Sequence, residues 1–183
     1  MSEPSEILES LQKLASPRVR DKKCRVVITS GPTRTYLDGV RFITNKSSGR
    51  MGHALAEAAV AQGADVCLIT GPVEAEFRQL SKGRVIEVET GEQMFAAAEA
   101  EFPRADIFVG AAAVSDFTFS ATSGKLPRKG TTVLRFEPSR DILGTLAKQK
   151  RADQLMVGFA AEWGADQRPR VLQKLKEKNI DLS

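Results

Sequence analysis

Short apolar runs recur along the chain, and segments of helical period separate them: "CRVVIT" (24–29), "DVCLIT" (65–70), "RVIEVE" (84–89), "DIFVGAAA" (106–113) and "LMVGFAA" (155–161). Between them lie "GRMGHALAEAAVAQGA" (49–64), "GEQMFAAAEAEF" (91–102) and "DILGTLAKQK" (141–150). Strands alternating with helices of this length imply a parallel, doubly wound sheet, in which helices cover both faces. The unbroken apolar character of "DIFVGAAA" predicts a strand covered on both faces. A further short strand is expected at "VLRFE" (133–137), and "NIDLS" (179–183) reads as the beginning of another. Ile7, Leu8, Leu11 and Leu14 have helical spacing, so residues 1–23 are expected to form an N-terminal helix and linker, with one domain over 24–183. A helix is expected over "RPRVLQKLKEK" (168–178).

Composition narrows the function. With 183 residues and 42% apolar content, the chain can bury a single core. A formal charge of +4 suits an anionic ligand, but aromatics make up only 6% and no basic run stands out. Both observations argue against a nucleic-acid surface. Cys24 and Cys67 sit within apolar runs and read as inert buried thiols. The single histidine, His53, excludes a His-rich zinc site. The first residues lack the apolar centre of a signal peptide, and no segment reaches membrane-spanning length, so a cytoplasmic protein is expected.

In such sheets ligands sit beyond the carboxyl ends of the strands, where the topology changes direction. Several unusual segments fall there. Ser30 to Ser47 form a long loop ending in "NKSSG", where Ser47 or Ser48 can cap the following helix and Gly49 lets backbone approach a ligand. A helix start with hydroxyls and no acidic residue suits an anion, although an ordinary serine cap explains the serines too. "GAAAVSDFT" (110–118) offers small residues against which a flat ligand can lie, with Asp116 for a sugar hydroxyl or metal; helix packing and a turn are the structural alternatives. "SGKLPRKG" (123–130) carries Lys125, Arg128 and Lys129 in a basic loop that could close over phosphates or simply be solvated. Phe159 could stack on a base or fill the core. Lys174 and Lys178 share one helix face. Neither G-x-G-x-x-G after a strand nor G-x-x-x-x-G-K-[ST] is present, which argues against an NAD(P)-dependent reductase and a P-loop.

The segment "ITSGPTR…LDGVRFITNKSSGRMGHALAEAA…GADVCLITGPV", together with "AAAVSDF", the lysine-bearing loop, "DIL" and "VGFAAE", resembles phosphopantothenate–cysteine ligase, also called phosphopantothenoylcysteine synthetase, over about residues 24–182. The resemblance implies a Rossmann-like α/β fold with a flexible basic flap. It also implies a ligase of coenzyme A biosynthesis that joins 4′-phosphopantothenate to L-cysteine through an acyl-nucleotidylate. CTP is the expected co-substrate rather than ATP, with Mg2+ accompanying it and no metal site built from side chains. By motif, Asn45 orients the acyl-cytidylate carbonyl as an amide donor, and Lys125 acts in forming that intermediate, with Lys129 beside it. Gly110, Ala111, Ala112, Asp116, Lys125, Ser139, Arg140, Asp141, Ile142, Phe159, Lys174 and Lys178 fall at nucleotide contacts. Gly31, Pro32, Thr33, Arg34, Ser47, Ser48, Gly49 and Lys129 fall on the substrate- and phosphate-binding surface.

The chain departs from the family pattern in three places. Ser139-Arg140-Asp141-Ile142 stands where Asn-Pro-Asp-Ile is usual, and "KLPRK" replaces "KIKK". The sequence also stops before an Ala-Asn-Asp segment, so the ligase domain is expected to lack its C-terminal strands. The flavin-dependent half of many relatives is not in this sequence, so no FMN chemistry is expected. A homodimer is implied, with small-molecule substrates and no nucleic acid or membrane partner. The alternative reading is a nucleotide-binding module without turnover.

Overall fold

A computed structural model describes residues 23–119, 124–126, 133–159 and 180–181. The expected N-terminal helix, the helix over 168–178 and most of the basic flap lie outside these residues. The described elements are β1 (Arg25–Ser30), β2 (Arg34–Tyr36), β3 (Phe42–Thr44), α1 (Arg50–Ala61), β4 (Asp65–Thr70), β5 (Arg84–Glu87), α2 (Gly91–Glu101), β6 (Ile107–Gly110), β7 (Phe117–Thr118), β8 (Glu137–Pro138), α3 (Ile142–Ala147) and β9 (Leu155–Gly158).

Five strands form one sheet in the order β5-β4-β1-β6-β9, every neighbouring pair parallel. The chain builds outward from β1 through β4 to β5, then returns to the other side of β1 with β6 and β9. This is the doubly wound arrangement expected from the strand–helix alternation, and its switch of direction lies between β1 and β6. Alternation along each strand divides the core into two layers. Val26, Ile28, Val66, Leu68, Ile107, Val109 and Val157 face α1 through Leu55, Ala56 and Ala59. Val27, Cys67, Ile69, Phe108 and Met156 face the other way, onto Met94, Phe95 and Ala98 of α2 and Leu146 of α3.

Local chemistry sets the helix ends. In α1 the buried positions Gly52, Leu55, Ala56 and Ala59 fall one face apart, as a half-buried helix requires. Its end is a Schellman turn: Gly63 at φ 82 donates to Val60 O at 2.9 Å, and Ala64 donates to Ala59 O at 3.1 Å. In α2, Thr90 and Gln93 form a reciprocal capping box, worth roughly 1 kcal/mol.

Three expectations are revised. The stretch from Ser30 to Ser47 is not irregular, because it contains an antiparallel hairpin pairing Arg34 with Thr44 and Tyr36 with Phe42. Only Glu137–Pro138 of the "VLRFE" region is strand, and it pairs antiparallel with Phe117–Thr118 rather than joining the main sheet. Where "NIDLS" was expected to open a strand, Ile180 and Asp181 form none. Asp181 instead brackets Met156 at the outer edge of β9, donating its N–H to Met156 O (2.9 Å) and accepting from Met156 N (2.7 Å). Lys150 holds that carboxylate at 2.6 Å.

Candidate active site

At the switch point the backbone does not open. Past the strand ends, Ala111 N donates to Thr29 O (3.1 Å) and Ala113 N to Gly31 O (2.8 Å), so Pro32 and Ala113 still pair. The buried Thr33 hydroxyl then accepts from Ser115 N at 3.2 Å. Asn45 completes the seam, its Nδ2 directed at Ala113 O (3.3 Å) and Val114 O (3.0 Å). Among the described residues, backbone pairing therefore continues past the strand ends at the switch point.

A cleft of about 960 Å³ lies on the β4–β5 side of β1. It is lined by Pro32 and Arg34 after β1, by Asn45 to Ser48 before α1, by Gly71 to Glu74 after β4, and by Glu87 to Glu89 at the end of β5, with Phe42, Thr44 and Arg78 completing it. Among the residues assigned to substrate and phosphate, Pro32, Arg34, Ser47 and Ser48 line it directly, together with Asn45. Gly31 and Gly49 press against Val73 of its wall: a β-carbon on either would come within 2.6 and 2.8 Å of Val73 Cγ1.

The start of α1 differs from expectation. Gly49 itself is the N-cap, in a left-handed conformation at φ 76, and no side chain caps the helix. Ser47 and Ser48 reach only the Gly49 and Arg50 amides, at 3.4 and 3.5 Å, the long end of hydrogen-bond geometry. The reason lies in Ser30, whose buried hydroxyl donates to Gly49 O at 3.0 Å and so directs the loop inward at a conformation glycine favours. The first turn of α1 contains no acidic residue. Its weakly engaged amides, beside the cleft, are suited to an anion.

The cleft wall is charged in pairs. Arg34 donates to Glu89 at 2.6 Å and lies 4.3 Å over the Phe42 ring, and Tyr36 donates to the same glutamate oxygen at 2.5 Å. The Tyr36 and Arg34 hydrogen bonds hold the Glu89 carboxyl below its ordinary range, and the bond to Glu89 pushes the Tyr36 hydroxyl up. Arg78 pairs with Glu87 at 3.1 Å. Sequence reading missed Lys46, Arg78, Glu87 and Glu89. Lys46 lies inside the N-K-S-S-G segment and could have been found there; nothing in the linear pattern marks the other three, because the register of β5 and a 3-10 turn at Ala75–Arg78 bring them to the cleft.

The described residues assigned to the nucleotide, apart from Lys125 beside the β2–β3 hairpin, lie across the seam around the ends of β6 and β9, and none lines this cleft. Gly110 is packed under α3, where a β-carbon would meet Leu143 Cδ2 at 2.7 Å. Ala111 and Ala112 pack against opposite core layers. Ser139 donates to Ser115 O (2.5 Å) through its hydroxyl and to Asp116 O (2.9 Å) through its amide. Arg140 lies 4.4 Å over the Phe95 ring. Asp141 is the N-cap of α3, accepting from Gly144 N at 3.0 Å, and Ile142 is core. Asp116 and Lys125 are exposed. Phe159 is 38% exposed, with its N–H on Gly110 O. Lys129, Lys174 and Lys178 lie outside the described residues. The candidate site thus has two halves that share the Asn45 seam, not one common cavity among the described residues.

Comparison with known proteins identifies the family. Residues 21–183 match the family described as the DNA/pantothenate metabolism flavoprotein C-terminal domain. The bifunctional coenzyme A biosynthesis protein CoaBC of Bacillus subtilis is 43% identical over 159 positions, covering 86% of this chain and 38% of that protein. CoaBC of Escherichia coli K12 is 35% identical over 187 positions, covering all of this chain and 45% of its own length. A protein named cysteine/cysteine sulfinic acid decarboxylase, from an unknown prokaryotic organism, is 42% identical over 189 positions, covering all of this chain and 52% of that protein. The chain spans about half the length, or less, of these curated relatives. Among solved structures, the C-terminal domain of CoaBC superposes with a TM-score of 0.74 at 37% identity, over 87% of this chain and 75% of that one. A Cab2 mutant in complex with phosphopantothenate-cysteine shares the fold, with a TM-score of 0.71 at 19% identity over 98% of this chain and 77% of that one. The strand order, the N-K-S-S-G entry to α1 and these matches converge: this chain belongs to the DNA/pantothenate metabolism flavoprotein C-terminal domain family.

Proposed function

We propose that the chain catalyses the ligation of 4′-phosphopantothenate to L-cysteine, with CTP as the activating nucleotide. The observation that carries this reading is the cleft at the start of α1. There a helix end without acidic residues, the Arg34 and Lys46 side chains and the Asn45 amide meet in one space, inside the segment most diagnostic of the family. A carboxylate is a poor acyl donor. One of its oxygens must first attack the α-phosphorus of CTP, expelling pyrophosphate and leaving an acyl-cytidylate. The cysteine amine then attacks the acyl carbon, CMP departs and an amide remains.

Both steps bring anions together, so they depend on fixed donors and cations that are in place before reaction. In this reading the acid occupies the cleft beside Asn45. The nucleotide lies across the seam over β6 and β9, with Lys125 from the flap at the phosphates. Asn45, touching both halves, sits where acyl carbon and phosphate would meet. Its Nδ2 faces the Ala113 and Val114 carbonyls, so service as a donor to the intermediate requires the amide to exchange one of those bonds.

Mg2+ enters with the nucleotide. Such a cation is commonly held by substrate phosphates and only one or two carboxylates. In this reading Asp116, exposed beside the seam, is the carboxylate available to the cation or the sugar, while Glu87 and Glu89 are occupied by Arg78 and Arg34.

The test incubates the protein with phosphopantothenate, cysteine, magnesium and either CTP or ATP, and follows pyrophosphate and nucleoside monophosphate. Pyrophosphate released only with phosphopantothenate present, and faster with CTP, is the expected result. Nucleotide binding without pyrophosphate would instead favour a binding module.

A further inference from the structure

Asp38 sits at the tip of the β2–β3 hairpin, buried to 2% exposure, and its two carboxylate oxygens face different ways. Oδ1 accepts from the Val40 and Arg41 amides at 2.8 Å each, closing the turn on which it sits. Oδ2 accepts from Arg41 Nε (2.9 Å) and Nη2 (2.5 Å), and from Leu126 N at 3.0 Å. Arg41 Nη2 also donates to Leu126 O at 2.9 Å, and Gly39 N donates to Gly124 O at 3.2 Å. Residues 38–41 therefore grip the backbone on both sides of Lys125, while Lys125 itself points outward, exposed.

We infer that Asp38 is a positioning residue that latches the lysine-bearing segment Gly124–Leu126 to the hairpin carrying Arg34 and Asn45. The role follows from where Oδ2 and its partner reach. Oδ2 is shared between Arg41 of the same turn and the Leu126 amide 88 positions away in sequence, and the Arg41 group it orients donates to the Leu126 carbonyl as well. A buried anion can hold such donors more firmly than an exposed one. The latch sets the Lys125 backbone at a fixed place relative to the cleft, so that only the flexible side chain has to move toward the phosphates. This inference rests on the ligase reading, because it gives Lys125 a role in acyl-cytidylate formation.

Asp38→Asn separates the two functions. The retained oxygen can still serve the Val40 and Arg41 amides, but the new NH2 group meets the Leu126 N–H and the Arg41 guanidinium, donor against donor. The experiment compares pyrophosphate release in a single turnover for the unaltered protein, D38N, K125Q and the double variant. D38N is expected to slow release about tenfold or more, since small misplacements of a catalytic group are costly, while CTP binding changes little. The double variant is expected to be no slower than K125Q alone, because the latch acts only through the lysine. The Leu126 amide is expected to lose its protection against hydrogen exchange in D38N. If D38N slows the K125Q background by the same factor as the unaltered one, or leaves the rate and Leu126 protection intact, the latch is wrong. If the unaltered protein releases no pyrophosphate at all, the ligase reading itself fails.

Discussion

Asn45 shows how one side chain can belong to two halves of a site. Its position, not its burial, makes it informative: the residue is exposed, lines the cleft and bonds carbonyls across the seam. Asn45→Asp would place a carboxylate opposite the Ala113 and Val114 carbonyls and would remove the amide donor. CTP binding is expected to survive, while conversion of the acyl-cytidylate slows by about a hundredfold, the typical effect of losing one oriented donor. Rapid-quench measurement of the two half-reactions checks this, and unaltered rates would remove Asn45 from the chemistry. Cys24 makes a different argument. Burial, and secondarily the Asp106 carboxylate, push its thiol up to about 11 from an ordinary 9.0. Folding thus favours the protonated form, so its contribution is complete below pH 9 and is lost as pH rises through 11. Denaturant titrations of the unaltered protein and Cys24→Ala across that window should show a shallower alkaline decline in the variant.

Among the elements, α1 and the β4 exit are the most tightly specified, because backbone contacts them directly. A β-carbon at Gly71 would lie 1.7 Å from the Pro32 carbonyl oxygen, and neither segment is free to shift: Gly71 N is bonded to Ser30 O at 2.9 Å. Gly71→Ala is expected to cost at least about 3 kcal/mol, the upper end of the usual overpacking range. At Gly52 the added carbon would meet Ser30 Oγ at 2.4 Å and Cβ at 2.5 Å. A serine rotamer change relieves part of that clash, so Gly52→Ala should cost less, roughly 1–2 kcal/mol. That change would also break the Ser30–Gly49 bond and move the start of α1. Urea unfolding orders the two costs, and phosphopantothenate affinity should fall for both, since Gly71 lines the cleft assigned to the acid and the start of α1 borders it. A reversed order would mean that the strand exit is softer than its hydrogen bonds imply.

For the whole molecule, the amino-terminal edge of the sheet carries an ion-pair cluster far from the cleft. Glu101, buried to 6% exposure, receives Arg25 at 2.8 Å and Arg84 at closer range, while Arg25 also holds Asp65 at 2.6 Å. Burial alone would raise the Glu101 carboxyl; the hydrogen bonds from Arg84 and Arg25 outweigh it and leave the group below its ordinary 4.5. A depressed folded value means that the contribution is complete above pH 4.5 and disappears as pH falls through the folded value. Glu101→Gln should lower stability at neutral pH by about 2 kcal/mol, as expected for losing hydrogen bonds to a charged partner. It should also flatten the acid limb of the stability curve, with pyrophosphate release at neutral pH little altered. Thermal melts from pH 3 to 7 measure both limbs.

The strand–helix alternation was readable because period-2 and period-3.6 patterns are local: "CRVVIT" and "DVCLIT" alternate between two core layers as their side chains dictate. The N-K-S-S-G entry to α1 was equally visible, since a helix start needs particular residues within a few positions. Other features depended on contacts between distant segments. The hairpin inside 30–47 was hidden because three-residue strands carry too little pattern. The capping of α1 by Gly49 instead of a serine required Ser30 to pull from 19 positions away. Whether β1 and β6 stayed paired beyond the switch point turned on the Pro32–Ala113 bridge, and the cleft's charged wall on the register of β5. The sequence by itself determined the order of elements, the layers of the core and the family to which the chain belongs. Only the tertiary structure decided where the cleft lies and which residues face it, because backbone pairing between remote segments competes with open space for the same strand ends.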